Sequence, residues 1–226
     1  MSDVKVSCGG RTWNLDKIIL CRSPFFEKAF MGGFKEAHER HITLEEPLPQ
    51  EAHDIIFHIY TGKTPTDLEK DLSVGALTRM FELGDFFDLD GLRQYAVEGL
   101  QNTLSRLALP INELMMEGGC TSKVSPELVN VFSEIAKFGY GTDSETYTPT
   151  RDSVLTFFAI TGMKALKLEQ FAELVSKIPG MADQLLKALV GVDNSPISKF
   201  FLHDLPTNCY ECHEPLHTFQ CLEWEL

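Results

Sequence analysis

Two short segments at the start of the chain alternate between apolar and polar residues. Residues 4–8 (VKVSC) carry an apolar side chain at every second position, which is the period of a strand with one buried face. The pair Gly9-Gly10 is typical of a tight hairpin turn, and residues 11–14 continue as a second strand. The same alternation returns at residues 41–44 (HITL). These patterns predict a β-hairpin and a third strand.

Between and after these strands, apolar residues recur at the spacing of amphipathic helices. Residues 15–19 predict a short first helix. Ser23-Pro24 is typical of the start of a second helix, because Ser caps helices and Pro suits the first helical position. Residues 35–40 are polar, and three further helices are predicted within residues 52–60, 72–83 and 92–100. This order of elements predicts a small α+β domain.

The second half of the chain has the pattern of an all-helical extension, residues 105–198, packed on the first domain. Helices are expected within residues 107–116, 126–138, 154–178 and 181–190, with a polar linker at residues 142–150. The alternative for this half is an independent second domain that starts near residue 120.

Composition narrows the class of protein. The formal net charge of −13 over 226 residues argues against nucleic-acid binding, which relies on clustered Lys and Arg. No apolar run approaches the roughly 18 residues that a membrane span needs. The start, residues 1–3, has no basic region followed by an apolar one, so no secretory signal is expected. These observations predict a soluble intracellular protein, cytoplasmic and/or nuclear, that binds neither nucleic acid nor membrane.

Several motifs of the first half occur together in one order and at characteristic spacings. They are DVKV (3–6), LDKIIL (15–20), RSPFF (22–26), GFKEA (33–37), ITL (42–44), YTG (60–62) and LGDFFDLDGL (83–92). With them, residues 1–104 resemble a BTB (POZ) domain, and GGFKEA (32–37) is similar to the filamentous-fungal branch of that family. The sequence departs from the family at Asp16, where a His usually stands, and this puts the chemistry of dimerisation in question.

The resemblance implies a non-enzymatic protein–protein interaction module with two jobs. One is self-association into a homodimer, with the dimer-contact candidates Val4, Val6, Cys8, Leu15 and Ile18. The other is the recruitment of a cullin scaffold, as a substrate adaptor of a ubiquitin ligase. The alternative is an oligomerisation scaffold or transcription-associated regulator with no ligase role.

Phe34 and Glu36 are the candidates for cullin binding. They match the pattern of an apolar residue and a Glu two positions later that cullin-binding members place before the third strand. An exposed apolar anchor beside a carboxylate acceptor suits a protein interface. The competing interpretation is that Phe34 folds back onto the preceding helix and Glu36 is only solvated.

The last segment, residues 199–226, is rich in Cys and His and is predicted to hold a structural zinc ion. The candidate ligands follow the order Cys209-x2-Cys212-x4-His217-x3-Cys221. A C-x2-C pair can clasp a tetrahedral metal from one turn, and four protein ligands leave no open position for catalysis. The last spacing is one residue shorter than that of a zinc knuckle, and His203 and His213 are rival ligands. Reduced, unliganded thiols are the alternative.

No pattern in the sequence favours catalysis. Cys21 lies within a predicted core helix, and Cys120 has no catalytic motif around it. His53 and His58 are five residues apart and do not share a helix face. The acidic run at residues 85–90 lacks the spacing and final Glu of an EF-hand. The protein is therefore predicted not to be an enzyme.

Overall fold

The structure is a computed structural model that describes residues 2–63, 72–116 and 124–190. Within these ranges the strands are β1 (Val4–Cys8), β2 (Arg11–Leu15) and β3 (His41–Leu44). The helices are α1 (Lys17–Leu20), α2 (Pro24–Met31), α3 (Lys35–Glu39), α4 (Pro49–Thr61), α5 (Val74–Phe86), α6 (Asp90–Met116), α7 (Pro126–Tyr140), α8 (Thr148–Ile160), α9 (Glu169–Lys177) and α10 (Met181–Val190). An α+β unit is thus followed by helices, as the sequence predicts.

The three strands form one sheet in the order β2-β1-β3. β1 pairs antiparallel with β2 and parallel with β3, so that Val6 lies opposite both Trp13 and Ile42. Gly9 and Gly10 both have positive φ angles, 51° and 83°. A two-residue turn of type I′ requires that conformation at both positions, and glycine adopts it without strain. The predicted hairpin and third strand are confirmed.

One face of the sheet is covered by helices and forms what we call the sheet core. Its buried residues are Val4, Val6, Cys8, Leu15, Leu20, Phe26, Phe30, Ile42, Leu44, Ala52, Ile55, Ile56, Ile59, Phe87, Leu89 and Leu92. The rings of Phe26 and Phe87 stack with centroids 5.6 Å apart. Ser23, fully buried, donates a hydrogen bond of 2.7 Å to the carbonyl oxygen of Phe87. This bond joins the start of α2 to the end of α5.

α6 is one continuous helix of 27 residues, although the sequence pattern predicts two separate pieces. Its buried positions Leu100, Leu104, Ala108 and Ile111 are each at most 1% exposed. They follow the helical spacing without a break, and the helix continues past Pro110. The predicted domain boundary after residue 104 therefore falls inside a helix.

A second core, the helical core, shares α5 and α6 with the sheet core. It contains Val74 and Leu77 of α5 and the buried face of α6 together with apolar residues of α7 to α10. Its centre is aromatic, because Phe132 lies 4.7 Å from Phe157 and 5.0 Å from Phe171 between ring centroids. The extension is thus packed on the first unit through two shared helices.

Two segments whose polar pattern predicts no regular element are ordered in the structure. Residues 35–39 form α3, which buries no residue and so has no apolar periodicity to reveal it. Within the expected linker at 142–150, a 3-10 turn spans Glu145–Tyr147 and α8 begins at Thr148. Tyr147 explains this order, because its ring lies 4.9 Å from that of Phe81 and 5.2 Å from that of Phe138.

The helix expected at residues 154–178 is interrupted. α8 ends at Ile160, and Gly162 and Met163 adopt positive φ angles of 56° and 61° that reverse the chain before α9. Among the described residues, none of the helices is long and apolar enough to cross a membrane. Residues 191–226, which include the predicted zinc segment, lie outside the described residues.

The approach of α5 to α6 yields a first prediction. A methyl group on Gly99 would lie 2.5 Å from Cδ2 of Leu77, which is 2% exposed and confined by its neighbours. We expect overpacking in Gly99→Ala to lower the free energy of unfolding by about 1–3 kcal/mol. The higher helix propensity of Ala offsets about 1 kcal/mol of this loss.

Urea unfolding followed by circular dichroism measures this change. Gly91→Ala is the matched control, because it lies on the same helix and its Cβ would meet only His58, at an ordinary 3.7 Å. Equal unfolding midpoints for the two variants would contradict the close packing of α5 on α6.

Candidate functional site

Phe34 and Glu36 lie side by side at the start of α3, on the surface of the first unit. α2 ends at Met31 and is followed by Gly32, and Phe34 is the residue that precedes the first turn of α3. The Phe34 side chain is 61% exposed. Its ring edge lies 2.8 Å from the position that a Cβ of Gly32 would occupy. Glycine at this position therefore lets the ring rest on the backbone while most of its surface stays in water.

A groove of about 460 Å³ lies beside these two residues, between α2, α3 and the end of α5. Its apolar lining comes from Phe25, Ala29, Phe34, Ile42 and Phe86. Phe86 is 48% exposed, and its ring lies 5.2 Å from that of Phe25 and 4.9 Å from that of buried Phe87. The structure thus adds Phe86 and Phe25 to the exposed anchor that the sequence identified.

The charged residues around the groove are mostly acidic. Glu36, Asp85 and Asp88 line it, and Lys28 is the cation among its lining residues. The guanidinium group of Arg93 lies behind this rim, 3.3 Å from Asp85 and 3.7 Å from Asp88, and it also pairs with Asp90. The tight turn from α5 to α6, in which Asp88 has a φ angle of 54°, brings these charges together.

Sequence reasoning missed the α5 side of the groove. The run DFFDLD (85–90) is part of the motifs that carry the family resemblance. Its pattern does not show which of its side chains are buried. In the structure Phe87 is fully buried. Its neighbour Phe86 is exposed, and so are the two Asp residues that flank the Phe pair, Asp85 and Asp88. Adjacent aromatic residues at a helix end point in different directions, but the sequence alone does not tell which of the two is buried.

The five dimer-contact candidates fall into two groups. Val4, Val6, Cys8 and Leu15 are at most 9% exposed and belong to the sheet core. The Cys8 thiol donates a hydrogen bond of 2.9 Å to Pro47, and burial raises the pKa of this thiol. Ile18, in contrast, is 82% exposed on α1. Of the five, Ile18 is the one whose side chain is exposed, and the other four are buried in the sheet core.

Asp16, where the family usually has a His, begins α1. Its backbone N–H donates a hydrogen bond of 2.7 Å to the hydroxyl group of Tyr60 on α4. Asp3 accepts a second bond of 2.7 Å from the backbone N–H of Lys17. These two contacts fix α1 against the rest of the unit, so that Ile18 is presented on a positioned helix.

A bidentate ion pair fixes α5 against α4 on another side of the unit. Nε and Nη2 of Arg79 donate to the two carboxylate oxygens of Glu51 at 2.9 and 3.0 Å. Glu51 also accepts from the backbone N–H of Leu48, which caps the start of α4. The hydrogen bond from Arg79 holds the pKa of Glu51 below its ordinary value. Nothing in the sequence pattern pointed to this pair.

Two tyrosines of the extension have perturbed hydroxyl groups, but no catalytic partner is evident among their described contacts. Burial raises the pKa of Tyr140, and the hydroxyl group has no hydrogen-bond partner within the described structure. Burial also raises the pKa of Tyr147, with a further contribution from the nearby carboxylates of Asp85 and Glu82. Tyr147 therefore lies close to the acidic end of α5.

The candidate zinc ligands lie outside the described residues; they are Cys209, Cys212, His217 and Cys221. His203, His213 and Cys120 lie outside them as well. Among the residues that are described, no group of three or more His, Cys, Asp or Glu side chains could hold a metal ion. Structural zinc in residues 199–226 stays a prediction.

Comparison with known proteins assigns the first unit. A family model for the BTB/POZ domain matches residues 1–104. Germ cell-less protein-like 1 of Mus musculus is 32% identical over 108 residues, which cover 46% of this chain and 20% of that protein. Germ cell-less protein-like 1 of Homo sapiens is 30% identical over 108 residues, which cover 46% of this chain and 20% of that protein. Germ cell-less protein-like 2 of Mus musculus is 31% identical over 87 residues, which cover 35% of this chain and 18% of that protein.

The chain spans about a fifth of the length of these curated relatives. The resemblance to the filamentous-fungal branch stays a prediction, since these relatives are mammalian. The strand and helix order, the aromatic core and the family match agree over the same residues. Residues 1–104 therefore form a BTB/POZ domain, a protein–protein interaction module.

Proposed function

We propose that this protein is a substrate adaptor that recruits a cullin scaffold of a ubiquitin ligase through the groove at α2, α3 and the end of α5. The observation that carries the proposal is the exposure of Phe34, 61% of its surface, beside half-buried Glu36 in the lining of a partly apolar groove. The adaptor would act in the cytoplasm and/or nucleus.

The geometry of the groove suits a protein partner rather than a small molecule. The groove is open to solvent, and two large exposed rings, those of Phe34 and Phe86, line it. Aromatic side chains of this kind supply much contact area at small entropic cost and are enriched among residues that dominate binding energy. The Phe34 ring already rests on Gly32, so little freedom is lost when a partner covers it.

We further propose that the protein forms a homodimer through α1. The observation that favours it is Ile18, an apolar side chain that is 82% exposed on a helix fixed by two backbone hydrogen bonds. A single exposed Ile is common on protein surfaces, but here it lies on the segment through which the family resemblance implies self-association. Asp16 would lie close to such a contact.

The cullin proposal predicts the effect of removing the anchor. We expect Phe34→Ala to weaken binding to a cullin N-terminal fragment by about 2 kcal/mol, roughly 30-fold in Kd, because a central aromatic anchor is lost. Glu36→Ala is expected to weaken binding in the same direction. Isothermal titration calorimetry measures both.

Leu48→Ala is the matched control for the anchor, since Leu48 is 65% exposed but lies at the start of α4, away from the groove lining. Unchanged affinity in the Phe34 and Glu36 variants would contradict the assignment of the groove. A chain that does not bind the fragment at all would favour the alternative, an oligomerisation scaffold or transcription-associated regulator without a ligase role.

The dimer proposal predicts a change of mass. We expect the unsubstituted chain to have the mass of a dimer at micromolar concentration and Ile18→Lys to have that of a monomer, because a buried unpaired charge opposes association. Light scattering on a size-exclusion column measures both masses. Leu186→Lys, at a 60% exposed position on α10, is the control. A monomeric unsubstituted chain would contradict the proposal.

A further inference from the structure

The charges around the groove carry an inference about what the partner must present. The groove combines an apolar lining with three carboxylates, those of Glu36, Asp85 and Asp88, and one Lys side chain, that of Lys28. An exposed apolar surface alone would accept many sequences. A surplus of one sign of charge beside it discriminates among them.

The Asp pair is not neutralised by the cation next to it. Arg93 is shared among Asp85, Asp88 and Asp90, so one positive charge faces three negative charges. The Arg93 side chain is only 22% exposed, whereas those of Asp85 and Asp88 are 42% and 46% exposed. The carboxylates therefore lie on the solvent side of the arginine. Glu82 and Asp85 both lie close to Tyr147, and Glu82 pairs with Arg79. Lys28 is the one cation among the described residues that line the groove, against the three carboxylates of Glu36, Asp85 and Asp88.

We propose that the partner segment seated in this groove carries a Lys or Arg side chain against the solvent side of Asp85 and Asp88, next to an apolar side chain that covers Phe34 and Phe86. This inference rests on the proposed docking function of the groove and adds its selectivity. The occupant is a basic, amphipathic segment of the partner protein. An acidic segment is repelled, because the carboxylates of the groove and the net charge of −13 act in the same direction.

The double variant Asp85→Asn/Asp88→Asn tests the inference with the cullin N-terminal fragment as the probe. Both changes keep the side-chain shape, Asn tolerates the left-handed backbone at Asp88, and Arg93 keeps Asp90 as a partner. We expect the Kd to rise about tenfold at low salt. We also expect a weaker dependence of the affinity on sodium chloride between about 50 and about 300 mM, since an exposed charge contact is screened by salt.

The matched control is Glu173→Gln/Asp183→Asn. It changes the net charge by the same amount at two exposed carboxylates on α9 and α10, each paired with a Lys one turn away. Both double variants then change the long-range electrostatic attraction equally. A difference in affinity between them therefore reports a contact at the groove. Melting temperatures of the variants establish that each chain is folded before binding is compared. If the groove variant is unfolded, the single variant Asp85→Asn and the salt dependence of the unsubstituted chain decide the question.

The outcomes separate this inference from the function on which it rests. Weaker binding and a smaller salt effect in the groove variant alone support it. If Phe34→Ala loses affinity while the groove and control variants bind equally well, the docking function stands and the charge preference is overturned. An affinity of the unsubstituted chain that does not change with salt also overturns it. If the unsubstituted chain does not bind the fragment, the docking function and this inference fail together.

Discussion

The close packing of α5 on α6 is the constraint on which the rest of the structure depends. Gly99 lets the two helices meet at Leu77, and the buried face of α6 continues from Leu92 to Ile111. The first part of that face closes the sheet core and the later part belongs to the helical core. The two halves of the chain therefore share helices rather than a linker, and burial of apolar surface in one half supports the other.

This arrangement explains how the helical extension helps to position a groove that it does not line. α5 ends at the groove with Asp85 and Phe86, and one turn earlier Phe81 packs on Phe138 and Tyr147 of the extension. On the opposite side, the Glu51–Arg79 ion pair fixes α5 to α4. A docking surface on elements held from two sides is presented with little loss of conformational freedom on binding.

Much of the fold could be predicted from local pattern, and the failures have physical causes. The hairpin is determined by alternation and by two glycines with positive φ, and α2 and α7 each begin at a Ser-Pro step. α3 was missed because it buries nothing, and the continuity of α6 was missed because the mostly polar residues 101–106 resemble a boundary. Phe34 and Glu36 could be identified by their motif. Phe86, Asp85 and Asp88 could not, because their exposure depends on the tight turn between α5 and α6.

The dependence of the groove on a shared helix pair can be tested most directly by scanning calorimetry of the whole chain. If both cores share α5 and α6, neither can unfold while the other persists. We expect a single heat-absorption peak for the BTB domain and the helical extension, with equal calorimetric and van't Hoff enthalpies. Two separated transitions, with the BTB domain unfolding independently of the helical extension, would contradict it.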